Sequence, residues 1–463
     1  MIRCLVVVAL CMTLISSAFA INEHEFAPKD VIIRDVCILG GGATGTYAAI
    51  SLKDKGRSIL VVEREEVLGG HAKTFYLDDE HYVDYGVEGV FNNKLTRDYF
   101  NRLNVKYKVL LPSTFLTQHV NFRTGEQVSP PSGLLKTAFS ALLYRVTIRK
   151  YKYLQDGLYS LPDPVPEELL RPFREFVEKS GTHGALQLIF MFTHTAGNIL
   201  EMPLLYVLQL FGLPHMNAFL KGGFIAPKNG MYDLYEKASQ ILGSDVLYQT
   251  TVQKTDRSEG DIKIVVQTTN GARKLIKTKK LLVTFAPVLS NLEGFDLTHV
   301  ESMLFQKWKW NTCYVAVVKN TGIRSGVTVM NSDPSNMPGS LPLPPFQWAL
   351  QHLGVDGYLA SKIVGDQDLT EDQAKELLLS DIRRMGYERA MNGSEPEIVS
   401  FGSHSPEVLS VSNADIMDGF YHKLYSIQGT KDTFYSGLAF GSDYSALLWA
   451  YTETVVLKML SSF

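Results

Sequence analysis

Cysteine is scarce in this chain: its 463 residues include only 4, and two of them, Cys4 and Cys11, fall within the first twenty positions. The other two, Cys37 and Cys313, each sit in an apolar run, which predicts buried thiols and excludes a disulfide-built scaffold. Cys/His spacings of the metal-binding type are missing, as is any local nucleophile–base pair that would support hydrolysis. Charge of one sign is missing too. Forty-five Lys+Arg against 48 Asp+Glu leave a net charge of −3, so no nucleic-acid partner is expected. Long apolar runs are confined to the N-terminus. There Arg3, the run Leu5–Ile15 and the small-x-small triplet Ala18-Phe19-Ala20 form the pattern of a secretory signal peptide over residues 1–20. That run is short for a membrane span, so the mature chain is expected to be secreted, with no stable membrane insertion. Asn392-Gly393-Ser394 would then be an N-glycosylation site.

What is present is ample core: 45% hydrophobic and 11% aromatic residues. At this length two domains are the natural expectation. The organising stretch is residues 31–74, VIIRDVCILGGGATGTYAAISLKDKGRSILVVEREEVLGGHAKT. Val31–Leu39 is the β-branched, apolar run of a strand buried on both faces. Gly40, Gly42 and Gly45 follow with G-x-G-x-x-G spacing and lead into a helix beginning near Ala43 and Thr44. In such a turn the first glycine makes the bend, the second admits a pyrophosphate, and the third lets helix and strand approach. The phosphates would rest on the free N–H groups at the helix start. A second strand, Ile59–Val62, ends at Glu63-Arg64, and Glu63 lies 18 residues beyond Gly45. A carboxylate there can accept hydrogen bonds from a ribose diol and disfavours a 2′-phosphate. An adenine dinucleotide site follows, with FAD and NAD not yet separated.

The segment EREEVLGGHAKT, with Gly69, Gly70 and His71, resembles the one after the second strand in flavin-containing amine oxidoreductases. In that family the doublet approaches the dinucleotide and flavin. His71 stands where many relatives carry arginine, and both a polar contact and a covalent flavin link are open to it. Asp84-Tyr85-Gly86 resembles the family's acid-x-glycine element under the flavin. Residues 222–252 resemble the segment that re-enters the FAD domain, where the residue matching Val252 meets adenine through its backbone. Near the C-terminus, Ser436-Gly437 and Gly441-Ser442-Asp443 resemble the last FAD-binding motif, expected to present N–H groups at the start of a final helix. Within the superfamily the likeness is nearest to secreted β-cyclopiazonate dehydrogenase-like and polyenoic fatty acid isomerase-like flavoproteins. The resemblance implies FAD, hydride chemistry at the flavin, and an α/β fold in which a Rossmann-type FAD-binding domain is interleaved with an α+β substrate-binding domain. The expected order is 21–94, 222–298 and 426–463 for the FAD domain, with 95–221 and 299–425 for the substrate domain.

Residues 185–219 are unusually apolar and aromatic, which suits the wall of a pocket for an apolar small-molecule substrate. His194, His215 and Glu201 are its ionisable groups, read as satisfied core polar groups. Gly133–Leu154 reads as an amphipathic helix whose Lys136, Arg145, Arg149, Lys150 and Lys152 form a solvated basic face. No residue can be assigned as a catalyst from the sequence. The expected activity is hydride removal from an unsaturated apolar substrate, by dehydrogenation or double-bond isomerisation. A flavin amine oxidase, a nicotinamide dehydrogenase and a lipid carrier on the same fold are the alternatives.

Overall fold

The computed structural model describes residues 21–111, 116–220, 223–258, 260–386 and 395–463. The expected leader, 1–20, and the sequon at Asn392 lie outside them. Seven strands form the first sheet: β1 (Val31–Leu39), β2 (Ile59–Val62), β3 (Val246–Leu247), β4 (Thr250–Asp256), β5 (Ile262–Thr268), β6 (Arg273–Val283) and β7 (Thr433–Tyr435). Their order is β3-β2-β1-β6-β5-β4, with β7 against the other part of β6. β3, β2, β1, β6 and β7 run parallel, while β4 and β5 fold back as an antiparallel meander. The parallel register aligns the strand ends: Leu247 faces Val62, Val62 faces Leu39, Leu39 faces Val283, and Val283 faces Tyr435. One row of carboxyl ends results, and in open α/β sheets that is where ligands bind.

Val36–Leu39 are buried on both faces, as their unbroken apolar run requires. The helix Ala43–Asp54 packs on them so closely that a Cβ on Gly45 would lie 1.8 Å from the Gly40 carbonyl oxygen. Gly40 itself turns with φ +100, a conformation glycine adopts without strain. The C-terminal helix Ser445–Leu460 lies against the same helix. Trp449 Nε1–H donates to the Ala43 carbonyl at 3.0 Å, and its indole stacks on Tyr47. Behind the meander, the buried Arg257 binds Asp296 at 3.0 Å and Glu301 at 2.9 Å and donates to Thr433 Oγ1.

The second sheet has the strand order 397–403, 309–319, 358–365, 346–352, 327–331, 116–121, 126–128. Its faces separate by the two-residue period of a strand. Tyr314, Ala316 and Val318 pack towards the helix Glu371–Met385, whereas Val315 and Val317 pack towards Val83 of the 74–84 hairpin and Tyr85 just after it. That hairpin links this sheet to the glycine turns. Both remaining cysteines are free and buried.

Two expectations need correction. Glu201 is not a core group: it sits at the surface, paired with Arg174 at 2.9 Å. The 133–154 segment is a helix over Leu134–Thr147 followed by a 3-10 turn over Ile148–Leu154; Lys136, Arg149, Lys150 and Lys152 are solvated as expected, but the solvent face of the helix itself is mainly apolar. Tyr144, Ala141 and Ser140 take the inner side, which leaves the leucines outside.

Candidate active site

The turns leaving the row of strand ends converge. Thr284, after β6, donates from Oγ1 to the Leu39 and Gly40 carbonyls, each at 2.9 Å. Thr44 Oγ1 lies 3.5 Å from the Thr284 carbonyl, and a Cβ on Gly437 (φ +109) would fall 2.7 Å from that same oxygen. The second glycine turn is tied to the first by the Gly69 N–H, which donates to the Gly41 carbonyl at 2.9 Å. Gly42 and Gly70 then face each other with no side chain between them. A Cβ on Gly42 would meet only Gly70 Cα at 3.8 Å, and one on Gly70 would meet Gly42 Cα at 3.1 Å. Into this slot opens the helix that starts at Ala43, where the N–H groups of Ala43, Thr44 and Gly45 lack intrahelical acceptors.

Glu63 is buried at the rim. Its carboxylate accepts from the Gly41 N–H at 2.6 Å and from the Glu65 N–H at 2.8 Å. The Thr250 N–H donates to its carbonyl at 2.9 Å, which brings β4 beside it. Val252 lies two residues further on, half-buried at a bulge. Arg64, the next residue, is solvent-exposed and pairs with Glu65 at 3.3 Å.

Across the slot lies a cluster that no sequence spacing announces. His71 stacks on His404 with ring centres 4.3 Å apart, and its Nδ1 is 3.2 Å from Glu407 Oε1. Glu407 in turn hydrogen-bonds Asp443. Burial pushes Glu407 up to about 7; burial and the neighbouring Glu407 push Asp443 up to about 8. Burial also holds both imidazoles below their ordinary value. The result near neutrality is a proton-sharing carboxyl pair beside two neutral rings. His404 Nε2 is buried without a partner in the described chain, and Asp84, accepting from Thr74 Oγ1 and the Met231 N–H, is raised by burial to about 6. His71, His404 and Glu407 place metal-ligand-type atoms within 4.8 Å of one another, the one such trio among the described residues.

The C-terminal motif departs from expectation at Ser442. Its N–H donates to the Gly157 carbonyl at 2.7 Å and its hydroxyl to the Gln209 carbonyl at 2.5 Å, so neither is free. The final helix begins three residues later, at Ser445. Gly441 is equally close to the chain, since a Cβ there would lie 3.1 Å from the Gly157 carbonyl oxygen. Next to Asp443, Tyr444 starts a run of ring contacts. It stacks on Phe91 at 4.9 Å, Phe91 meets Phe224 at 5.5 Å, Phe224 meets Phe192 at 6.1 Å, and Phe192 stacks on Phe211 at 4.6 Å. His215 packs edge-on to Tyr444 at 4.2 Å. Burial drives His215 and His194 down to about 3, so both are neutral. Each keeps a buried Nε2 without a partner in the described chain. They are therefore only half satisfied.

A glycine slot at a helix N-terminus, a buried acid at the end of the second strand, and a mixed polar and aromatic cluster beside them define a dinucleotide-dependent redox protein. Residues 43–312 match the model of the flavin containing amine oxidoreductase family, and the chain belongs to that family. It is an FAD-dependent oxidoreductase. Among its relatives is the beta-cyclopiazonate dehydrogenase of Aspergillus flavus, 41% identical over 94% of each chain. An FAD-dependent oxidoreductase of Cochliobolus heterostrophus is 32% identical over 97% of this chain and 95% of that one. In fold it is similar to the CLA-producing fatty acid isomerase from P. acnes, with TM-score 0.72 and 20% identity over 92% of this chain and 98% of that one. Wild-type putrescine oxidase gives TM-score 0.62 at 16% identity over 93% of this chain and all of that one.

Proposed function

We propose that the slot between Gly42 and Gly70 holds the FAD pyrophosphate, on the N–H groups of Ala43, Thr44 and Gly45, with Gly40 making the turn. Glu63 would take the ribose diol and the Val252 backbone the adenine edge. Gly69-Gly70-His71 and Asp443 would border the flavin, where the unpartnered His404 Nε2 suits a cofactor that brings hydrogen-bonding atoms of its own. Bound there, FAD supplies the acceptor for a hydride. The chain's own task is to orient an activated C–H and exclude water.

The substrate of this reading is apolar and unsaturated, converted by dehydrogenation or by a double-bond shift. The run of rings from Phe211 to Tyr444 carries it. A hydrocarbon lodged along those rings gains from every buried Å². Likeness to a beta-cyclopiazonate dehydrogenase in sequence, and to a fatty acid isomerase in fold, supports the same class. Secretion through the 1–20 leader, with glycosylation at Asn392, belongs to the same proposal; Edman sequencing starting at Ile21 would support the leader.

Anaerobic mixing tests the substrate class. Polyunsaturated fatty acids should bleach the flavin or produce a conjugated-diene or triene band, while polyamines and amino acids leave the spectrum unchanged. Rapid bleaching by an amine with no response to any polyene would replace this reading with an amine oxidase.

A further inference from the structure

The helix Leu134–Thr147 presents its apolar side to solvent. Leu134, Leu135, Phe139, Leu142 and Val146 are between 53% and 87% exposed, and positions 135, 139, 142 and 146 lie on one helical face. Single exposed leucines are ordinary, but a row of them on one face marks a contact surface. The row extends sideways. Arg145 Nε–H donates to Asn217 Oδ1 at 3.0 Å, which holds the helix Leu213–Leu220 alongside, and Phe219 and Leu220 of that helix are exposed as well.

Charge within the segment that carries this face has one sign. Residues 133–154 contain five basic side chains and no acidic one. Arg149 and Lys152 are exposed at the end of the row, and Lys150 between them pairs with Glu168 at 2.5 Å. Two copies of the chain packed through this face would bring their 133–154 segments together, and those segments hold no acid to answer Arg149 and Lys152. A sheet of lipid phosphates answers them directly: leucines and phenylalanines enter the acyl boundary while Lys and Arg meet the headgroups. No described helix is long and apolar enough to cross a membrane, so the helix would lie on the surface.

We propose that this face docks reversibly on an anionic phospholipid bilayer and opens the active site towards it. Tyr144, on the inner side of the same helix, donates to the Phe211 carbonyl at 2.8 Å and stacks on the Phe211 ring. The ring run to Tyr444 thus begins directly beneath the exposed leucines. An apolar substrate dissolved in the bilayer could then reach the site without crossing water. Docking stands on the exposed face alone, and the delivery role rests on the substrate class proposed above.

The test is co-sedimentation of the yellow holoprotein with vesicles of phosphatidylcholine alone or of phosphatidylcholine mixed with phosphatidylglycerol. Binding should appear with the anionic vesicles and fall as salt rises. Leu135→Glu combined with Phe139→Glu should lower the bound fraction by about tenfold or more while leaving the flavin spectrum and melting temperature unchanged. Arg149→Gln with Lys152→Gln should weaken binding to the anionic vesicles specifically. Absence of vesicle binding, or binding that the Glu variants leave intact, would overturn the proposal. So would a vesicle-free dimer that those variants split into monomers, because the face would then be a self-association surface. Loss of vesicle binding with polyene bleaching retained in detergent separates failure of docking from failure of the substrate reading.

Discussion

Gly42→Val is expected to fold and to purify without colour. The wild type should carry the absorbance of bound flavin, and the variant should have lost FAD affinity by roughly a hundredfold, about 2.7 kcal/mol. Two features isolate the effect. Gly42 has φ −70, which any L-residue adopts, and a Cβ there meets nothing in the chain closer than 3.8 Å. A side chain would fill the space assigned to the pyrophosphate rather than displace protein. Gly45→Val should behave differently, because its Cβ would collide with the Gly40 carbonyl oxygen at 1.8 Å and its helix could not pack on β1. Low soluble yield is expected for Gly45→Val, against normal yield and apoprotein-like melting for Gly42→Val. A yellow Gly42→Val with wild-type affinity would remove the phosphate from this slot.

That contrast also indicates what could be read without coordinates. The glycine turn, the strand before it and Glu63 were legible because each states a local backbone requirement: a bend, a close approach, a fixed distance to the second strand. His404 and Glu407 were not. They reach His71 because the strand 309–319 pairs with the segment Glu407–Ser410, a contact across nearly a hundred residues that no motif encodes. The helix Leu134–Thr147 failed in another way. Periodicity reveals that a helix has two faces, but Tyr144 and its bond to Phe211 decide which face turns inward. Glu201 sits in an apolar stretch and still belongs to the surface, because Arg174, 27 residues earlier, holds it there. At Ser442 the motif was recognisable, yet Gly157 and Gln209 had already claimed its N–H and hydroxyl.

A large loss of stability without a steric clash should come from Arg257→Met, at about 3–5 kcal/mol near neutral pH. Arg257 is completely buried between Asp296 and Glu301, and Tyr435 donates its hydroxyl to Glu301 at 2.5 Å. Burial alone would raise both carboxyls, but Arg257 overrides it and leaves each below the ordinary carboxylate range. A depressed folded-state value adds stability above the unfolded value, and that contribution disappears as pH falls through the folded one. The wild type should therefore lose stability in acid. In the variant burial is opposed only by hydrogen bonds, from the Thr255 hydroxyl and the residue-257 N–H at Asp296 and from the Tyr435 hydroxyl and the Thr298 N–H at Glu301, with Lys431 3.3 Å from Asp296, so both carboxyls should rise. The sign then reverses: the variant is least penalised in acid and loses stability as pH increases. Urea midpoints measured across this range should show the two proteins converging at low pH and diverging towards neutrality. Parallel curves, or a difference under about 1 kcal/mol at neutral pH, would mean that the triad contributes little beyond its packing. The same substitution should reach the cofactor, because Arg257 Nη1–H also donates to Thr433 Oγ1 at the start of β7, which leads into Ser436-Gly437. Weaker FAD retention in Arg257→Met is expected even at a pH where the protein remains folded.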